Sequence, residues 1–188
     1  MSDMLANYTT VLDGFERVLR EVPADGWESA SPCEGWAARD VAGHVIGGVR
    51  MVGMLATGAT PPAERPSDRQ MAGDDPVASW RAARAATTAA LTPEALERVV
   101  PGPIGDMPLV ILIEQFMTGE MLVHTWDLAR AAGVDPELDP ALVEDTFARW
   151  EPLDTAGMRS PGVFGPALPA PEGASRQDQL MAFLGRRV

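Results

Sequence analysis

The chain has 188 residues, 46% of them apolar and 22% charged, which suits a globular domain that buries its own core. Its net charge of −12 and its pI of about 4.5 disfavour phosphate backbones and anionic lipid surfaces, so we expect no nucleic-acid or membrane partner. The single cysteine, Cys33, cannot form an internal disulfide, and the N-terminal residues have neither a basic nor an apolar export segment. These features predict a cytoplasmic protein with one domain, residues 1–188.

Apolar residues recur at helical spacing along most of the chain, whereas no persuasive alternating strand pattern is present. Two segments are rich in proline, glycine and other turn-forming residues, and we predict loops at 57–75 and at 156–174. The segment 96–107 predicts a turn or a short hairpin. The predicted helices span 4–21, 38–55, 76–90, 111–132, 140–153 and 177–184. This pattern predicts an all-α fold, an antiparallel four-helix bundle with extra C-terminal helices and a loop.

The helix predicted at 111–132 carries Glu120 and His124 near its middle. Asp106 and Pro108 suit its start, and Gly133 suits its end. Residues four apart lie one turn apart on the same helical face, so the carboxylate and the imidazole lie together on an apolar stripe. This pair is either a partnered core pair or part of a metal site.

The only other histidine, His44, lies near the middle of the helix predicted at 38–55. Side chains from neighbouring helices meet inside a bundle, so His44, Glu120 and His124 could form one three-ligand site. Two imidazoles and a carboxylate suit Zn²⁺, although nickel, iron and cobalt accept the same ligands. The alternative is that His44 is a satisfied core histidine.

Several neighbouring residues could support such a site. Asp127 could orient the His124 imidazole or contact substrate. Arg39 and Arg130 are candidates for holding an anionic group of a bound cofactor or substrate. Gly47 and Gly48, on the face of His44, leave space either for a bound molecule or for close helix packing. Cys33 could be a fourth ligand or a redox thiol, but the sequence shows no basic neighbour, and we predict an inert packing thiol.

Three motifs, SPCEGWAARDVAGHV, GDMP and GEMLVHTWDLARA, together with the C-terminal segment, resemble the DinB/YfiT-like superfamily. They are most similar to its actinobacterial single-domain family, which is related to the metal-binding N-terminal domain of mycothiol-dependent maleylpyruvate isomerase. The resemblance covers nearly the whole chain and implies that His44, Glu120 and His124 are the metal ligands. Ala37 stands where family members often have Ser or Thr as a helix cap, a difference of about 1 kcal/mol.

The resemblance also implies a function. We expect a divalent metal, zinc in the first instance, that activates the thiol of mycothiol or a similar cofactor in an S-transferase or isomerase reaction on a small electrophile. The alternatives are a metal-dependent hydrolase, which needs the same three ligands, and a non-catalytic metal-binding or stress-response module. The apolar helix faces also suggest a homodimer.

Overall fold

The computed structural model describes residues 2–60, 62, 64–153, 159 and 165–188. They form two compact units, Met1–Asp135 and Pro136–Val188. The prediction of a single domain therefore stays a prediction. The helices are α1 (Ser2–Glu21), α2 (Ala38–Thr57), α3 (Asp68–Ala72), α4 (Pro76–Ala90), α5 (Pro93–Leu96), α6 (Leu109–Leu112), α7 (Thr118–Ala132), α8 (Pro140–Trp150) and α9 (Arg176–Phe183).

Four long helices of the first unit pack around one apolar core, in the ring order α1, α7, α2 and α4. Each contributes a buried apolar stripe, as the spacing of their apolar residues requires. Trp80 of α4, for example, is fully buried against Phe15 of α1, with ring centroids 4.8 Å apart. The predicted all-α fold and helical bundle are confirmed.

The ends of the long helices follow local chemistry. Asp75 accepts a hydrogen bond from the Ala78 N–H and is followed by a proline, so α4 begins at Pro76 as predicted. At the start of α2, Ala37 has no capping side chain, but its N–H donates to Asp40 Oδ2 at 2.9 Å. Gly133, with a φ of 68°, ends α7 in the left-handed conformation that glycine adopts easily.

The segment predicted as a loop at 57–75 contains a short helix, α3, and that part of the prediction is wrong. Ser67 caps this helix, since its hydroxyl accepts from the Gln70 N–H while the Gln70 side chain accepts from the Ser67 N–H. The backbone of α3 packs directly on α2 at Gly43. A Cβ atom at Gly43 would lie 1.7 Å from the carbonyl oxygen of Asp68, so only glycine permits this approach.

The long helix predicted at 111–132 is interrupted by one π-helical turn, Ile113–Met117, between α6 and α7. The hydroxyl of Thr118, the first residue of α7, donates across this turn to the Ile113 carbonyl oxygen at 2.9 Å. Asp106 does not cap the helix, because Pro108 occupies the N-cap position before Leu109. The predicted hairpin is confirmed as two short antiparallel strands, β1 (Val99–Val100) and β2 (Met107–Pro108).

The second unit contains α8 and α9. These helices pack through Phe147 and Phe183, and an ion pair joins Arg176 to Glu144. Residues 165–174 form neither helix nor strand, which agrees with the predicted loop, whereas 156–158 and 160–164 lie outside the described residues. Throughout the described part of the chain, every helix lacks the combination of length and apolar character needed to cross a membrane.

Candidate metal centre

The fold brings together the three residues that the sequence suggested as metal ligands. His44 lies on α2, and Glu120 and His124 lie one turn apart on α7. The His44 Nε2 atom is 2.8 Å from Glu120 Oε1, and the two imidazole centroids are 4.9 Å apart. One ligand atom from each side chain lies within 4.8 Å of the others. The three donors therefore converge from two helices on one point.

Asp127 lies behind this cluster, at the position that the sequence suggested for a helper residue. Its carboxylate is fully buried, and Oδ2 is 3.0 Å from His124 Nδ1. When Nδ1 carries the proton and donates it to this carboxylate, the Nε2 lone pair of His124 is free to bind a ligand. The spacing of three residues on one helix produces this contact.

Cys33 is also part of this region. Its thiol donates a hydrogen bond to Asp127 Oδ2 at 3.3 Å, and its sulfur is 4.0 Å from His124 Nδ1. The connector offers Cys33 no basic neighbour in sequence, but His124, which is distant in sequence, is adjacent in space. The inert packing role of Cys33 stays a prediction. With His124 and Asp127, the sulfur forms a second group of potential metal ligands.

The connector before α2 holds Cys33 and Trp36 against the imidazoles. The backbone N–H of Trp36 donates to the Cys33 carbonyl oxygen, and the turn between the two residues uses a positive φ of 77° at Gly35. The Trp36 ring lies 4.9 Å from the His44 ring and 6.0 Å from the His124 ring, centroid to centroid. An aromatic wall therefore covers one side of the cluster.

Two residues of the segment after α2 extend the polar environment of His44. Asp68 Oδ2 is 3.9 Å from His44 Nδ1, and Arg65 forms an ion pair with Asp68 at 3.0 Å. The space beside Gly47 and Gly48 is filled by protein: Arg65 lies 3.1 Å from a Cβ built at Gly47, and Met117 lies 3.3 Å from one built at Gly48. Close packing is therefore the observed use of these glycines.

The surroundings of Glu120 favour its charged form. Burial raises the pKa of Glu120, but the hydrogen bond from His44 and the charges of His124, His44 and Arg65 outweigh that effect and leave the pKa below its usual value. About 38% of the side chain remains accessible to solvent. The site therefore offers an anionic carboxylate beside two imidazoles.

The two arginines suggested for anion binding are engaged elsewhere. Arg39 donates to Glu28 and to the Gly73 carbonyl oxygen. Arg130 lies over the Trp126 ring, 5.4 Å from its centroid. The charge of Arg65 instead acts on Glu120. Arg65 belongs to an irregular segment, so the sequence gave no signal for this interaction.

The donor set fits a small divalent cation. Zinc-type ions bind imidazole nitrogen and carboxylate oxygen at about 2.0–2.2 Å, so donors of one site lie within a few ångströms of each other, as these do. The buried Asp127 carboxylate behind His124 is the usual support for a metal-bound imidazole. With His44, Glu120 and His124 as ligands, the protein supplies three donors, and a tetrahedral ion keeps one position for another ligand.

Comparison with known proteins identifies the family. Residues 8–129 match the family of the mycothiol maleylpyruvate isomerase N-terminal domain. The chain belongs to this family. It is also similar to two uncharacterized proteins of Mycobacterium tuberculosis, from strains CDC 1551 and H37Rv, with 34% identity over 188 residues and 99% of each chain covered. The family assigned from the sequence motifs is confirmed, and the DinB-like superfamily is consistent with it.

Solved structures of the isomerase family share the fold. The chain matches the crystal structure of the mycothiol-dependent maleylpyruvate isomerase with a TM-score of 0.58 and 17% identity, over 78% of this chain and 67% of that chain. A histidine-to-alanine mutant of the same enzyme gives the same values. At this identity the similarity establishes the helical fold.

Proposed function

We propose that this chain binds a divalent cation through His44, Glu120 and His124 and uses it to activate a low-molecular-weight thiol of the mycothiol type. The reaction is transfer of that thiol to a small electrophilic substrate, or isomerisation of the substrate with the thiol's help. The observation that supports the proposal most is the convergence of three donor atoms within 4.8 Å of each other. Membership of the mycothiol maleylpyruvate isomerase N-terminal family supports the choice of thiol.

A bound zinc-type cation would supply Lewis acidity, which lowers the pKa of a thiol or water ligand toward neutrality. The residues of the chain provide the rest. Asp127 keeps the proton of His124 on Nδ1, and the anionic Glu120 balances part of the positive charge. Trp36 covers the imidazoles on one side and reduces access of water.

Zinc is the first choice because it favours this donor set, while nickel, iron and cobalt accept the same ligands. The catalytic role of Asp127 and the anion-binding roles of Arg39 and Arg130 stay predictions, as do the cytoplasmic location and the homodimer.

The test begins with metal content. Wild type, His44→Ala and Glu120→Gln are purified from the same zinc-supplemented culture, and bound metal is measured by mass spectrometry. Glu34→Gln is the matched control, because Glu34 is exposed in the connector and loses the same charge. We expect about one metal ion in wild type and in the control, and a large loss in the two ligand variants. Equal metal in all four proteins would contradict the ligand assignment.

The metal-loaded proteins are then incubated with mycothiol and a panel of small electrophiles, and loss of free thiol is followed. We expect consumption of thiol by wild type and by Glu34→Gln, and none by His44→Ala. Bound metal without thiol turnover would favour a non-catalytic module. Thiol-independent cleavage of esters or amides would favour a hydrolase.

A further inference from the structure

Tyr8 of α1 carries a polar group that is buried without a partner. The residue is 2% exposed, and its hydroxyl has no hydrogen-bond partner among the residues that the structure describes. In the unfolded chain this hydroxyl bonds to water, so burying it alone destabilises the fold. A buried polar group left unpaired in this way calls for an explanation, and a role at a neighbouring site is one.

The neighbour that matters is Glu120. Helix α1 packs along α7, the helix that carries Glu120, and the negative charge of Glu120 acts on the buried Tyr8 hydroxyl. A tyrosine hydroxyl carries its proton at physiological pH, so Tyr8 has a hydrogen-bond donor to offer. Glu120 Oε1 lies 2.8 Å from His44 Nε2, so this oxygen is already engaged with His44.

We propose that Tyr8 is a positioning residue for the metal centre, whose hydroxyl donates a hydrogen bond to the Glu120 carboxylate when His44, Glu120 and His124 hold a cation. This inference rests on the proposed function. A cation bound by His44 and Glu120 would replace their direct hydrogen bond, and the carboxylate would then gain from another donor that fixes its orientation. Tyr8 supplies it from a third helix, out of contact with solvent.

The experiment compares wild type with Tyr8→Phe, which removes only the hydroxyl. Zinc affinity is measured by competition with a chromophoric chelator, and the melting temperature is measured on metal-free protein. We expect zinc to bind about 10-fold more weakly, the lower end of the effect of losing a group that supports a metal ligand. The metal-free variant should melt higher, by roughly 2–4 °C, because the unpaired buried hydroxyl is gone.

Thr87→Val is the matched control, since Thr87 is a buried hydroxyl that has a partner, the Val49 carbonyl oxygen at 2.8 Å. It should lower the melting temperature and leave zinc affinity unchanged. If His44→Ala abolishes zinc binding but Tyr8→Phe leaves zinc affinity unchanged, the role of Tyr8 is overturned, whatever the melting temperature of Tyr8→Phe. No zinc binding by wild type would overturn the proposed function itself, and the role of Tyr8 with it.

Discussion

Asp127 is the residue on which two neighbours of the metal centre converge. The Cys33 thiol and the His124 Nδ1 atom both lie within hydrogen-bond distance of its Oδ2 atom, and the carboxylate is fully buried. A buried carboxylate without such donors would be costly, so the three side chains stabilise one another. The result is a fixed orientation for the His124 ring, which a metal ligand requires.

Replacement of this carboxylate by an amide tests its role. In Asp127→Asn the negative charge behind His124 is lost, so the imidazole becomes a weaker ligand, and we expect zinc affinity to fall by about 10- to 100-fold. Chelator competition measures the affinity, and circular dichroism shows whether the helices are retained. Asp74→Asn is the control, because Asp74 is exposed and loses the same charge. Equal affinity in both variants would show that Asp127 does not support the ligand.

At the scale of the elements, the sequence predicted the long helices well because their signals are local. The α4 boundaries, Pro76 and Ala90, follow from an aspartate cap, a proline in the first turn and a run of alanines. The short helix α3 also had a local signal, the capping pair Ser67 and Gln70, which proline-rich surroundings obscured. The π turn Ile113–Met117 had none, since the sequence pattern there is that of a continuous helix.

The site was predictable to a similar degree. Helical spacing placed Glu120 beside His124 and could not decide between a core pair and ligands. Cys33 and Tyr8 lie near the proposed ligands because segments that are distant in sequence pack together. A single sequence does not specify that packing. The contact of α3 with α2 is of the same kind, and a close approach at Gly43 makes it sensitive to a single methyl group.

Gly43→Ala should therefore push α3 away from α2. The new Cβ would overlap the Asp68 carbonyl group, so we expect a loss of about 1–3 kcal/mol in the free energy of unfolding. Gly14→Ala is the control, because a Cβ there meets nothing within 4 Å and alanine favours a helix interior by about 0.5–1 kcal/mol. Urea denaturation measures both. Equal stability changes in the two variants would show that α3 does not rest on Gly43.

On the scale of the whole molecule, binding of a cation at the proposed site would be coupled to folding. The proposed ligands belong to two of the four bundle helices, and Tyr8 belongs to a third, so these groups converge only in the folded first unit. A cation that binds the folded state stabilises it by mass action. The net charge of −12 adds a second, unspecific attraction for any cation, and an experiment has to separate the two effects.

Thermal unfolding with different cations separates them. At free zinc about 100 times its dissociation constant, we expect about 2.7 kcal/mol of stabilisation and a rise in the melting temperature of roughly 5–10 °C for the transition in which the first unit unfolds. A chelator should reverse the rise. Magnesium at the same concentration screens the acidic surface equally but prefers an octahedral shell of oxygen ligands, so it should cause little shift. A comparable shift with magnesium, or with zinc added to His44→Ala, would mean that the stabilisation arises from the acidic surface rather than from the three ligands.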